Sequence, residues 1–321
     1  MSIIFRRSKL TDFLKIKKLF FSVFKRSISK HFYDWRYLEN SKYNSFVVFD
    51  QNKLIGHVGF VRYELNQSLT KNKKYIFSRH TSMIHANYRK KNIYSKLLKF
   101  SFSKLQNNNF GFLVWPNNIN YIVIKKTKNY YKIPKHYIYS INIKSSINKK
   151  NNSNYYLLKF NEIFNMEYFF KSNNQKSIFQ KNYKYFIHRY LSYDNKNYKF
   201  IVKKINNQYL SLFVLEMENM NNKVIIKIFD FYSIKNNFNN EINYLINFLK
   251  GYYKSRINIK ILFWHSKLIE RSILSNKINR TKKSFNICLI PNLKKKNLIN
   301  NLNFNFFMGD TDVFININKK N

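Results

Sequence analysis

Three consecutive basic residues, Arg89, Lys90 and Lys91, stand where an apolar run beginning at Ile76 turns into an amphipathic helix over 91–106. The first N–H groups of a helix have no intrahelical acceptor and sit at the positive end of its dipole. A strand-turn-helix junction of this kind is therefore suited to hold a phosphate. Other chemistries find little support. The single cysteine, Cys288, excludes a multi-thiolate site and reads as a core residue of a strand, and the seven histidines lack ligand spacing, so no metal is expected. Five glycines in the whole chain rule out a Gly-rich phosphate loop.

The elements that would carry this junction follow from periodicity. Phe13, Ile16, Leu19, Phe20, Val23 and Phe24 recur at helical spacing, which predicts a helix over 12–30. Strands are predicted at 45–50 and 54–65, then the strand leading into the junction, a strand at 110–115, a helix through about residue 128 that starts near Asn117, and a strand at 136–143. Residues 144–154 are polar and without period, and read as a linker between a first lobe, 1–143, and a second, 155–321. Beyond the linker the pattern repeats. Arg36-Tyr37-Leu38 and two strands correspond to Arg189-Tyr190-Leu191 and strands at 198–205 and 209–217, followed by a strand at 224–231, a helix over 236–253 and a strand at 257–264. The halves read as copies of one α/β unit, of which only the first carries the basic turn.

With 321 residues, 45% apolar and 19% aromatic, the chain can bury a full core. Its charge is extreme, +44 from 59 basic against 15 acidic residues. Two readings of that charge stand: a polyanionic partner such as nucleic acid, or an AT-biased coding sequence that enriches Lys, Asn, Ile, Phe and Tyr together. The charged N-terminus is unlike a secretory signal, and no run reaches the roughly eighteen apolar residues of a spanning helix, so a cytoplasmic protein is expected.

The stretch Met83-Ile84-His85-Ala86-Asn87-Tyr88-Arg89-Lys90-Lys91-Asn92-Ile93-Tyr94 resembles the acetyl-CoA-binding motif of the GNAT superfamily of N-acetyltransferases, an apolar residue and short turn followed by Arg/Gln-x-x-Gly-x-Gly/Ala. Leu54-Ile55-Gly56-His57-Val58-Gly59-Phe60 looks like the strand preceding that motif, and Phe112-Leu113-Val114-Trp115-Pro116-Asn117 like its later strand and helix. His31 to Tyr37 and Gly309 to Asp312 resemble segments of two-lobed members associated with surface-polysaccharide synthesis. The implied fold is α/β (α+β), a mixed and largely antiparallel sheet flanked by helices, duplicated as two lobes. Where the family has small residues, this chain has Asn92 and Tyr94. Asparagine tolerates the left-handed conformation that glycine adopts there, whereas Tyr94 must turn its ring toward the helix-packing side.

The resemblance implies acetyl-CoA as cosubstrate, with pantetheine along the edge of strand 76–85. A backbone N–H near Met83 and Ile84 would hold the thioester carbonyl as it becomes an oxyanion, worth on the order of 3 kcal/mol. The 3′,5′-ADP end would meet Arg89, Lys90 or Lys91, with Asn92, Ile93, Tyr94 and Asn117 nearby. Acyl transfer to an amine requires a base for the ammonium and an acid for the leaving thiolate. His80 and His85 are candidate bases and Tyr121, Tyr130 and Tyr131 candidate acids. On the acceptor side the scarce carboxylates Asp230 and Asp310 are the leading candidates, with the second lobe supplying the acceptor pocket. The expected reaction is acetyl transfer to a small-molecule amine, an amino sugar or sugar nucleotide. The alternatives are an aminoacyl or peptidyl transferase of the same doubled fold and a non-catalytic nucleic-acid-binding protein.

Overall fold

Strands Ser45–Asp50 (β2) and Lys53–Glu64 (β3) are buried along most of their length, so both faces of the sheet they form need apolar cover. Alternation divides the work. Val47 and Phe49 face helices Phe13–Phe24 (α1) and Lys30–Tyr37 (α2), packing with Ile16, Leu19, Tyr33 and Tyr37. Phe46 and Val48 face helix Ile93–Lys104 (α3), packing with Ile93 and Leu97. The computed structural model describes residues 2–39, 41–66, 74–89, 91–105, 109–116, 121, 124, 130–145, 154–172, 179–192, 198–235, 238–253, 257–265 and 278–291.

The chain divides into two units, Met1–Ile133 with Ile287–Leu302, and Pro134–Asn286 with Asn303–Asn321. In the first, strands Ile3–Arg7 (β1), β2, β3, Tyr75–Ile84 (β4) and Asn109–Val114 (β5) neighbour one another in that order, and Cys288 to Pro291 pair with β5 at the far side. All pairings are antiparallel except β4 with β5. The helix predicted over 12–30 ends at Phe24, where Lys25 takes a left-handed φ of 55°, and a second helix starts at Lys30 with Ser29 as its N-cap. The apolar period lapses at Lys25, Arg26 and Ser27, which leaves nothing to hold a continuing helix against the sheet.

In the second unit, strands Tyr131–Lys144 (β6, from Pro134 onward), Tyr155–Leu157 (β7), Tyr198–Ile205 (β8), Gln208–Met220 (β9), Lys223–Ser233 (β10) and Asn258–His265 (β11) are ordered β6-β11-β10-β9-β8-β7, with β10 and β11 parallel. Residues 278–286, the part of strand Ile278–Pro291 (β12) that belongs to this unit, lie beyond β6. The predicted lobe boundary at 143 falls ten residues after the observed division, since the strand to which His136–Ile143 belongs pairs with β11 of the second unit. Helix Phe238–Tyr252 (α4) covers Ile201, Phe213, Ile226 and Ile261.

The two units share a local device. In the first, the register of β3 against β4 slips between His57 and Gly59, and in the second, that of β9 against β10 slips between Val214 and Leu215. Tyr37 of Arg36-Tyr37-Leu38 hydrogen-bonds Thr81 at the first slip, and Tyr190 of Arg189-Tyr190-Leu191 donates to Asp230 at the second (2.7 Å). Corresponding tyrosines thus brace corresponding irregularities.

Glu241 on α4 is buried, accepting from Ser211 Oγ (2.9 Å), Lys203 Nζ (3.1 Å) and the Tyr155 hydroxyl. Burial raises its pKa to about 7 from 4.5, so the folded chain holds this proton where the unfolded chain releases it. Stability from this group is present below the unfolded value and is lost as pH rises toward 7. Glu241→Gln is therefore expected to raise Tm at pH 8 and leave it nearly unchanged at pH 4; an equal effect at both would exclude this titration.

Candidate active site

Strand β4 is paired on both edges only at its start. With β5 it pairs at Tyr75, Ile76, Phe77 and Ser78, whereas with β3 it continues to Ile84 opposite Gly56. Among the described residues, Arg79 to Ile84 therefore have a strand neighbour on one edge alone. Trp115, just past the end of β5, donates its Nε1–H to Ser78 Oγ (3.1 Å) at the point where the two strands part. Backbone N–H and C=O groups on the open edge are donors and acceptors for an extended ligand.

A bulge sits in the open stretch. Met83 pairs with His57 and His80 with Gly59, so Thr81 and Ser82 together oppose Val58, and Thr81 has φ 45°. A β-branched residue in the left-handed region carries about 1–3 kcal/mol of strain and persists only when its surroundings enforce it. Here they do. The Thr81 carbonyl accepts from His57 Nδ1 (3.0 Å), and its hydroxyl bonds Tyr37. A carbonyl can only accept, so Nδ1 carries the proton and Nε2 accepts from the Tyr33 hydroxyl (3.0 Å), which in turn meets Ser45 Oγ (2.7 Å) and through it Ser8. Burial pulls the His57 pKa down to about 4, so the imidazole is neutral. Gly59 makes room for this chain of groups, because a Cβ there would stand 2.5 Å from the Tyr37 ring. The tyrosines and His57 escaped the sequence reading. The one available signal was the pair Gly56 and Gly59 around His57, in a chain with five glycines.

The basic turn follows β4 directly. His85 donates its backbone N–H to Ile55 O (2.8 Å), Ala86–Tyr88 form one 3-10 turn, and the Tyr88 hydroxyl ties that turn to Asp50 (2.8 Å). Asn92 has φ 56° and ψ 9° and caps α3, the left-handed geometry expected of a glycine substitute. Arg89 and Lys91 are exposed beside this helix start, Lys91 with its Nζ 5.2 Å from the Tyr88 ring centre. Ile93 is buried, and Tyr94 packs with the same core cluster, its ring under the Arg79 guanidinium at 5.8 Å. Its aromatic side chain is thus taken up by packing, leaving the helix N-terminus clear of it.

The remaining candidates fall in different places. Met83 and Ile84 end β4, both buried. His80 is half-buried on β4 opposite Gly59, and His85, its pKa lowered by burial and then by the Lys53 and Arg89 charges, begins the turn. Tyr121, beyond β5, packs with Tyr130 and Cys288; desolvation, then the neighbouring Tyr130 and Cys288, raise its pKa, so its phenol keeps its proton at neutral pH. Burial likewise pushes the Cys288 thiol up to about 11, which makes it an inert core group. Asp230 was expected on the acceptor side. It belongs to the second unit, is fully buried, and its oxygens take Lys181 Nζ (2.7 Å), Tyr190 OH (2.7 Å) and Phe231 N–H (2.9 Å). A carboxylate so enclosed holds its fold and presents nothing to an acceptor. Lys90, Asn117 and Asp310 lie outside the described residues.

No protein-family model matches the chain, and neither does any curated protein sequence. Solved structures do. A GCN5-related N-acetyltransferase from Anabaena variabilis is similar over 91% of this chain and 74% of its own, at 13% identity and a TM-score of 0.68. A conserved protein from Enterococcus faecalis, described as a probable N-acyltransferase, matches over 90% and 72% at 10% identity and 0.65. N-myristoyltransferase from Saccharomyces cerevisiae with bound myristoyl-CoA matches over 90% and 82% at 9% identity and 0.57. The chain has the GNAT-type fold, as the strand-turn-helix resemblance implied. Among the described residues no helix is long and apolar enough to cross a membrane.

Proposed function

We propose that the chain is an acyltransferase that moves an acetyl group from acetyl-CoA to the amine of a small acceptor, an amino sugar or sugar nucleotide. The observation that carries this reading is the one-sided edge Arg79 to Ile84, bulged at Thr81 and running straight into a helix whose N-terminus is opened by left-handed Asn92. Pantetheine adds to the open edge as an extended strand would. Because N–H groups alternate along a strand, either Met83 or Ile84 aims its N–H away from β3, where it receives the oxyanion. The phosphates meet the first N–H groups of α3 with Arg89, Lys90 and Lys91 around them.

The amine attacks the thioester carbonyl, the C–S bond breaks, and the thiolate takes a proton from Tyr121, while His80 receives the ammonium proton. GNAT-fold neighbours include proteins described as N-acetyltransferases and one with bound myristoyl-CoA, which supports a CoA thioester as donor. Acetyl-CoA in millimolar excess is expected to raise Tm by several degrees, and Arg89→Ala to remove most of that shift without altering Tm in its absence. No shift for the unaltered chain at millimolar acetyl-CoA would end the cofactor assignment.

A further inference from the structure

Thirteen large apolar side chains stay exposed among the described residues, and four of them lie on one short stretch: Leu10 (53%), Leu14 (68%), Phe21 (57%) and Phe24 (41%). At 100° per residue, Leu10, Leu14, Phe21 and Phe24 fall within about 80° of one another along α1 and the turn before it, with Lys17 in the same arc. Phe13, Ile16 and Leu19 are buried against the sheet, and the stripe flanks that buried face, with Phe24 packed beside Phe20 at 4.8 Å between ring centres. Lys9, Lys15, Lys18, Lys25 and Arg26 surround it and Lys17 stands within it, all exposed. The only acidic residue of the stretch, Asp12, is buried and paired with Arg6 (2.7 Å). Coding bias sets how many lysines and phenylalanines the chain contains, but it does not gather them on one exposed flank of a helix.

We propose that this stripe docks the protein on an anionic lipid bilayer. A ridge of leucine and phenylalanine ringed by lysine matches a surface that offers an apolar interior beneath negative headgroups. Charge argues against the same face pairing with a second copy, since two such faces would bring two cationic rings together on chains that each carry +44. A nucleic acid would meet the charge and leave Leu14 and Phe21 with no apolar phase to enter. Burying those side chains gives the docking its depth, and the lysines give it its preference for anionic lipid.

The test is flotation of the full chain with vesicles of phosphatidylcholine alone or with about a third phosphatidylglycerol. The chain is expected to float with the anionic vesicles, less as salt rises, and Leu14→Ser/Phe21→Ser to lower the partition coefficient about tenfold or more. Lys17→Glu/Lys18→Glu should weaken it as well, and neither pair should change Tm, because all four side chains are exposed. Absence of flotation with anionic vesicles overturns the proposal. So does flotation that the Leu14/Phe21 pair leaves unchanged, or self-association in solution that this pair abolishes.

Discussion

Asp230→Ala is expected to destabilise the chain by about 3–5 kcal/mol, because it strips the counter-charge from a buried ammonium. Lys181 Nζ lies 2.7 Å from the carboxylate, with side-chain exposures of 1% and 0%, and neither charge can be hydrated in place. Lys181 would have to give up its proton or drag water into the core. Tyr190 would lose the acceptor of its hydroxyl, and with it the brace on the second register slip. The effect is measurable as a lower denaturant midpoint at unchanged slope. Asp230→Asn, which keeps one acceptor oxygen and drops the charge, should fall between. Replacing both partners by apolar residues, Lys181→Met with Asp230→Leu, should recover most of the loss. A change below about 1 kcal/mol in the alanine variant, within the range of ordinary surface substitutions and their neighbours, would contradict the structural role.

Asp230 also shows why the site was only partly legible. Its apolar neighbours Phe229, Phe231 and Tyr232 were visible in the sequence, but its partner Lys181 lies among many other lysines, and nothing local marks it. By contrast, the course from β4 into α3 is local: strand alternation, a turn and an amphipathic period follow one another within some thirty residues, and Asn92 was identifiable as the residue able to take positive φ. The strands of the meander were legible for the same reason. Helix ends were less so, since α1 stops where its burial stops, at Lys25, and not at any breaker residue. The bulge at Thr81 was not legible at all. Threonine favours strands, and its left-handed φ is imposed by Tyr37 and His57, both far away in the chain.

That imposed geometry makes His57 the second site of large expected effect. Its folded pKa of about 4 lies below the ordinary 6.5, so the unfolded chain binds a proton in a range where the folded chain does not. Stability is then fully present above the unfolded value and is lost as pH falls from about 6.5 toward 4, by about 3 kcal/mol at most. His57→Gln keeps an N–H for the Thr81 carbonyl and an oxygen for the Tyr33 hydroxyl while removing the titration. It should flatten the acid side of the stability profile and retain the bulge. His57→Leu should instead strip the Thr81 carbonyl of its donor, about 1–3 kcal/mol at any pH, and leave the Tyr33 hydroxyl with Ser45 alone. If the bulge positions the open edge for the thioester, the two variants also part in function. The leucine variant, compared at a pH and temperature where it remains folded, should lose acetyl transfer by about a hundredfold, since displacing the oxyanion donor by about an ångström removes most of its worth. Tyr37→Phe, which deletes only the hydroxyl on Thr81, should follow it to a smaller degree. A glutamine variant as inactive as leucine, with a profile as steep as that of the unaltered chain, would contradict both parts, leaving the open edge to be shaped by something other than the neutral imidazole beneath it.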